Sequence, residues 1–331
     1  MMRVAAVCAG LAALAALGWW FGWQDVLAAL RRVSPAGLAL YLGITVVVWL
    51  GYTTRWWLVA RAVGGAVAPS RLFAARLAGD AVGSLVPSAR LAGEPVRVAL
   101  VRGRGVSTTA AAAGVALDRL LELTGNMFAV IAYVAVFATV RGPGRAPWAL
   151  AVVMLALLVA LAAALRSLAR GRPPLRWLYG ARARRAAPRL TRWLDALARV
   201  EALLGDAVRA QPRRLLLGLA LTLGIELLIL AQYHAMLGAF GIALDLPTLV
   251  LVLLGGALAN TAPTPAGLGA LEAVQVVAVG AATGQPALGF VVAVIVRLHT
   301  LLLLAAGGVA LLWFGLAPGA AGRAGAERAI G

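Results

Sequence analysis

Six long apolar runs, at residues 4–21, 36–58, 108–140, 148–165, 215–240 and 287–316, constrain this chain more than any other feature of its sequence. A helix crosses the ~30 Å hydrocarbon core of a bilayer in about 20 residues, and an apolar stretch of roughly 18 or more is a candidate span. The sequence therefore predicts an all-α polytopic membrane protein with about six full spans. Of the 331 residues, 63% are apolar and 13% charged, against about 45–50% and about 25% in a soluble domain, so a water-soluble fold is excluded. The first run stays apolar from Val4 to Trp23 and passes Trp19 and Trp20. It is too long for the ~7–15-residue apolar region of a signal peptide and lacks a small-residue cleavage site, so residues 1–23 read as a retained first span with an aromatic interfacial end. Cys8 is the single cysteine, which rules out an internal disulfide.

Two further apolar stretches, 72–100 and 246–279, are broken in the middle by GSLVPSARLAGEPVR (83–97) and NTAPTPAGLGALE (260–272). Lipid cannot satisfy the backbone N–H and C=O groups that Pro and Gly release, so such breaks must be buried in protein or face trapped water. Both stretches are expected to be re-entrant hairpins or discontinuous helices; residues 248–258 as a helix would reach only about 16 Å, half a bilayer. The break residues are Pro87 and Gly93 in the first element and Asn260, Pro263, Pro265, Gly267 and Gly269 in the second.

All 30 basic side chains are arginine, against 12 acids. In a soluble chain that excess would suggest nucleic acid; here the positive-inside rule explains it, and no nucleic-acid partner is expected. Residues 166–214 hold 13 of the arginines with only Asp195, Glu201 and Asp206, and read as a basic cytoplasmic loop. Both termini then fall in the cytoplasm of a multi-pass protein of the cell (inner) membrane, with Arg31, Arg32, Arg141 and Arg145 as exceptions on the far side.

Shifting the sequence by 178 positions lays Pro87 on Pro265, Glu94 on Glu272, Arg119 on Arg297 and Leu120 on Leu298 without a gap. Residues 24–35 and 201–212 are also alike, each a short amphipathic stretch before a full span. The chain thus divides into a first span (1–23), a first repeat (24–140), a linking span and basic loop (141–214), a second repeat (215–316) and a short tail (317–331). One extra span, 148–165, separates the units, so they are expected to be inverted. Inverted repeats with broken helices around a midplane site are a mark of transporters.

Charges inside apolar spans normally face a partner or a wet cavity. Glu94 and Arg97 lie one helical turn apart, Asp118 and Arg119 sit with Glu122 in the 108–140 span, Glu272 begins the second half of its broken element, and Arg297 precedes His299 by two residues. Two readings of Glu94, Arg119, Glu272 and Arg297 stay open: salt bridges that fix the breaks, or a site in which arginines hold an anion while carboxylates shape the gate or carry a proton. Arginine suits phosphate through its planar, always-charged fork, and the half-helix N-termini after Gly93 and Gly269 would add positive charge. The candidate substrate-binding residues are Arg119, Arg297, Glu94, Glu272, Arg97, Arg90, Asp118 and His299. Arg55, beside Trp56 and Trp57, reads as an interfacial anchor; Asp80 is undecided; Glu226, Gln232 and His234 would extend a polar lining.

The segments GEPVR (93–97), LDRLLEL (117–123), APTPAGLGALE (262–272) and VRLHTLLLLAAGG (296–308) resemble the lysylphosphatidylglycerol synthase transmembrane, or flippase-like, family over about residues 4–316. Ala266 stands where the family's second break usually has the first of paired glycines, and Arg90-Leu91-Ala92 replaces a Gly-rich lead in the first. The resemblance implies an integral membrane protein that moves lipids or lipid-linked carriers between leaflets. Bifunctional members carry a soluble aminoacyltransferase domain after the membrane region; here only a short tail follows, so aminoacyl transfer by this chain alone is not expected.

The expected function is a flippase or transporter for a phospholipid or polyprenyl-phosphate-linked lipid, with membrane lipids as partners. A membrane subunit that positions a lipid-modifying enzyme is the alternative, and an intramembrane transferase a weaker one. With two histidines, no HExxH and no cysteine cluster, no catalytic residue, metal or cofactor is expected. Self-association stays open.

Overall fold

The computed structural model describes residues 19, 23–31, 33–86, 91–103, 105–141, 145–179, 190–259 and 269–316. They form α1 (Trp23–Arg31), α2 (Pro35–Ala62), α3 (Pro69–Leu85), α4 (Gly93–Val101), α5 (Thr108–Arg141), α6 (Arg145–Ala169), α7 (Arg176–Tyr179), α8 (Thr191–Ala210), α9 (Pro212–Ala239), α10 (Leu246–Ala259), α11 (Ala270–Thr283) and α12 (Pro286–Leu316). The helix starts follow local chemistry. Pro opens α2, α3, α9 and α12, where its missing N–H costs nothing. The side chains of Ser34, Ser107 and Asp245 accept from the N–H groups of Gly37, Ala110 and Thr248.

Five helices, α2, α5, α6, α9 and α12, are long and apolar enough to cross a membrane. With no strand among the described residues, the chain is an all-α polytopic membrane protein. The sixth expected span, residues 4–21, lies outside the described residues apart from Trp19. Each interrupted stretch is a pair of shorter helices, α3 with α4 and α10 with α11. The 14 residues of α10 reach about 21 Å, short of a full crossing. Outward faces of α6, α9 and α12 expose Val152, Val159, Leu227, Leu312 and Trp313, as a lipid-facing surface requires.

The helix starts at Pro35, Pro69, Gly93 and Thr108 recur at Pro212, Leu246, Ala270 and Pro286, 177 or 178 positions later, and α2 and α9 are both 28 residues long. These two pack along their length and run antiparallel: Ser34 N–H donates to the carbonyl of Ala239 at one end, Gln232 donates to Thr45 further in, and Arg55 and Val59 lie by Gly218 at the other end. Several other contacts come in matched pairs. Helix α3 packs on α12 and its counterpart α10 on α5; α4 packs on α5 and α11 on α12; α1 packs on α12 and α8 on α5. The first arm of each broken pair therefore leans on the long helix of the other half, which knits the halves into one body.

The 166–214 stretch, expected as a loop, is largely helical. Its amphipathic helix α8 lies against α5, α6 and α9, and buried Glu201 ties α7 down by accepting from Leu175 N–H and Tyr179 O–H.

Helices α3 and α4 cross at Gly79 and Gly93. A Cβ on Gly93 would overlap the carbonyl of Gly79, and one on Gly79 would overlap the Arg97 side chain. Gly93→Ala is expected to force the pair apart and destabilise the chain by about 1–3 kcal/mol. Gly43→Ala, where nothing lies within 4 Å, should leave the thermal midpoint of the purified protein unmoved, and comparing the two midpoints checks the claim.

Candidate functional site

Four elements of the first half converge on one buried ionic cluster. Asp118 and Glu122 stand one turn apart on α5 and present their carboxylates to one side. Asp118 is fully buried and accepts from Arg55 Nε of α2 (2.8 Å), Arg76 Nη1 of α3 (2.8 Å) and Arg97 Nη2 of α4 (2.5 Å). Glu122 accepts from Arg55 Nη2 (3.0 Å), Arg76 Nη2 (2.7 Å) and Arg119 Nη1 (2.9 Å). Arg76 thus bridges both carboxylates through its rigid fork, as a lysine point charge could not. Glu94 takes Arg97 Nη1 at 3.1 Å and has Arg119 at 3.9 Å. Aromatic faces cover the guanidiniums, with Arg76 4.1 Å over Tyr52 and Arg97 4.0 Å over Trp56. The four arginines meet Asp80, Glu94, Asp118 and Glu122, so the cluster is formally neutral.

A second, smaller ionic unit sits in the other half. Fully buried Glu272 accepts from Arg297 Nε (2.9 Å) and Nη2 (2.7 Å) through Oε1, while Oε2 reaches back to the N–H of Gly269 at 2.8 Å. Gly269 has φ 80°, a conformation that favours glycine, and this lets the chain turn into α11 with Glu272 closing its first turn. Each half-helix N-terminus, on α4 and on α11, therefore already carries a carboxylate in its first turn, Glu94 and Glu272.

The pairs Glu94/Arg119 and Glu272/Arg297 are thus ion pairs at matching places in the two halves. A second set of matches runs across α2 and α9. Arg55 donates to Thr222 at 3.5 Å, and Gln232 donates to Thr45 at 2.7 Å; each residue of one bond lies 177 positions from its counterpart in the other.

Between the halves lies a cavity of about 180 Å³. Tyr52, Arg76, Asp80 and Glu122 of the first half face Gln232, Tyr233, His299 and Thr300 of the second across it. His299 is held from two sides: Tyr41 O–H and its Nδ1 share a 2.5 Å hydrogen bond, and Tyr233 meets it edge-on.

Of the candidate binding residues, His299 lines this cavity. Glu94, Arg97, Asp118 and Arg119 stand in the network that holds Arg76 and Glu122, and Glu272 and Arg297 adjoin the lining residues Leu271 and Val296. Gly93 and Gly269 serve a helix crossing and a helix start. Arg90, Pro87, Asn260, Pro263, Pro265 and Gly267 lie outside the described residues.

Two expectations are corrected. Arg55 is not an interfacial anchor: it is fully buried, because Asp118 and Glu122 supply the counter-charge that water would otherwise provide. His234 turns to the exposed surface of α9, away from Gln232, which is buried. Arg76 and Tyr52 were not singled out in the sequence at all. The usable signal was Arg76 with Asp80 at i, i+4 inside a stretch otherwise meant for the membrane.

The sequence model of the lysylphosphatidylglycerol synthase TM region family matches residues 7–308. A UPF0104 membrane protein of Methanothermobacter thermautotrophicus is 26% identical over 328 residues, spanning 92% of this chain and 94% of its own. No solved structure matches. With the family match covering four of the described spans, both broken helix pairs and most of the fifth span, the chain belongs to the lysylphosphatidylglycerol synthase TM region family.

Proposed function

We propose that this chain is a lipid flippase or transporter of the cell (inner) membrane. It takes the polar head of a phospholipid or polyprenyl-phosphate-linked lipid into the cavity between its halves and leaves the hydrocarbon chains in the bilayer. The observation that carries this reading is the cavity itself. Charged and hydrogen-bonding side chains from both halves surround a space in a body whose outer helices are apolar, and the two leading helices run antiparallel, the arrangement on which alternating access rests. Arg119, whose side chain is 19% exposed, is the arginine of the cluster best placed to meet a lipid phosphate at the edge; Glu272 and Arg297 hold the start of α11 against α12. In the same reading the basic 166–214 segment and both termini face the cytoplasm, and the membrane region performs no chemistry of its own.

Reconstitution into liposomes tests the proposal. The purified chain is expected to raise the transbilayer rate of at least one headgroup class tenfold or more over protein-free vesicles, and Arg76→Ala to abolish the gain. Unchanged rates for anionic, zwitterionic and glycosyl lipids alike would overturn it. A second reading, a membrane subunit that docks a lipid-modifying enzyme, rests on the exposed Arg192, Trp193 and Arg199 of α8; loss of partner capture with transport intact, after charge reversal there, would favour it.

A further inference from the structure

The polar wall of the cavity is poorly suited to a bare anion. Its formally charged members among the described residues are Arg76, Asp80 and Glu122, one cation against two carboxylates. Arg76 commits both terminal nitrogens to Asp118 and Glu122. Its Nε–H remains: the residue is 2% exposed, Nε has no hydrogen-bond partner, and the nearest carboxylate oxygen, Asp80 Oδ2, stands 3.6 Å away, beyond hydrogen-bonding distance.

An unmet donor beside a carboxylate specifies a chemistry. A group that reaches both Arg76 Nε and its ion-pair partner Asp80 from the cavity side has to accept a hydrogen bond from the first and donate one to the second. A hydroxyl does both. An ionised phosphate oxygen only accepts and would meet Asp80 as a like charge; an ammonium only donates and leaves Nε–H unmet. The rest of the wall agrees. Gln232 gives one amide N–H to Thr45, which leaves its second N–H and its carbonyl oxygen to donate and accept, the same pair of roles a hydroxyl fills. Ser84 and Thr300 add hydroxyls, and Trp49 and Tyr233 add ring surface of the amphipathic kind that packs on C–H edges. At about 180 Å³ the space is smaller than the ~300–1,000 Å³ of common small-molecule pockets, room for a single ring and not for a lipid chain.

We infer that the cavity binds an uncharged, hydroxyl-rich headgroup, the sugar of a glycolipid or of a sugar-bearing carrier lipid, with one hydroxyl bridging Arg76 Nε and Asp80. The inference rests on the flippase reading for the movement of that lipid, but not for its binding.

The test uses the full chain in nanodiscs with three probes of equal chain length, hexyl glucoside, hexyl phosphate and hexylammonium, followed by tryptophan fluorescence. Saturable binding of the glucoside at least tenfold tighter than of the other two is expected, weakened at least tenfold by Asp80→Ala. Ser84→Leu fills the cavity without touching an ion pair and should weaken it equally, which covers the case in which Asp80→Ala fails to fold. Equal binding of either charged probe, or undiminished glucoside binding in the folded variants, overturns the inference. In proteoliposomes, movement of a glycosyl diacylglycerol or of a glycosyl polyprenyl phosphate supports it and tells the two sources apart. Movement of phospholipid without glucoside binding overturns this inference and leaves the flippase reading standing; glucoside binding with no lipid moved does the reverse.

Discussion

Asp118→Asn is expected to cost about 3–5 kcal/mol, enough to keep the chain from accumulating as a stable membrane protein. Asp118 has no exposed surface and is the shared acceptor of Arg55, Arg76 and Arg97. Removing its charge leaves three guanidiniums from three different helices repelling one another in a site that water does not reach. The amide also replaces an acceptor oxygen with a donor nitrogen pointed at other donors. The loss should be read as a collapse of the monodisperse peak on size exclusion and a lowered thermal midpoint. Glu94→Gln is the contrast: its side chain is 20% exposed and its partner Arg97 keeps Asp118, so a far smaller loss is expected. Equal melting of Asp118→Asn and the native chain would show that the cluster does not hold the first half together.

Breaking the second ionic unit should be almost as damaging. Glu272→Gln leaves Arg297, 6% exposed, without its counter-charge and should also cost about 3–5 kcal/mol, whereas replacing both partners, Glu272→Gln with Arg297→Met, should restore much of the loss. The rescue is what separates a paired ion from two independently useful residues, and a double-mutant cycle on the thermal midpoints measures it. Additive losses would mean that the arginine serves something other than Glu272.

The sequence disclosed the fold more fully than the site. Long apolar runs have one physical outcome in lipid, so α2, α5, α6, α9 and α12 were legible, and the Pro- and Gly-rich interruptions marked where α3 and α10 had to stop. The register Glu94–Arg119 against Glu272–Arg297 was legible too, because ionised groups are scarce enough in such segments for a coincidence of spacing to carry information. What could not be read was partnership between distant helices. Arg55 looks like an anchor next to Trp56 and Trp57 until Asp118, 63 positions away, is brought against it. Arg76 gains its meaning from Glu122 and from the cavity, neither of which any local pattern encodes. The amphipathic character of α8 was visible, but arginine density made its surroundings read as a loop.

The halves agree in shape and differ in charge. Gln232 stands where the first half has Arg55, Gln275 where it has Arg97, and Thr300 where it has Glu122. If the molecule works by letting each half adopt the other's pose, the two end states are related in outline by a two-fold rotation but differ in electrostatics, since the larger salt-linked bundle belongs to the first half. Their populations are therefore unequal, by a factor of ten for every 1.4 kcal/mol of difference. On the flippase reading, the empty protein would then have a resting side, and cargo would be handed across a built-in tilt instead of a level seesaw.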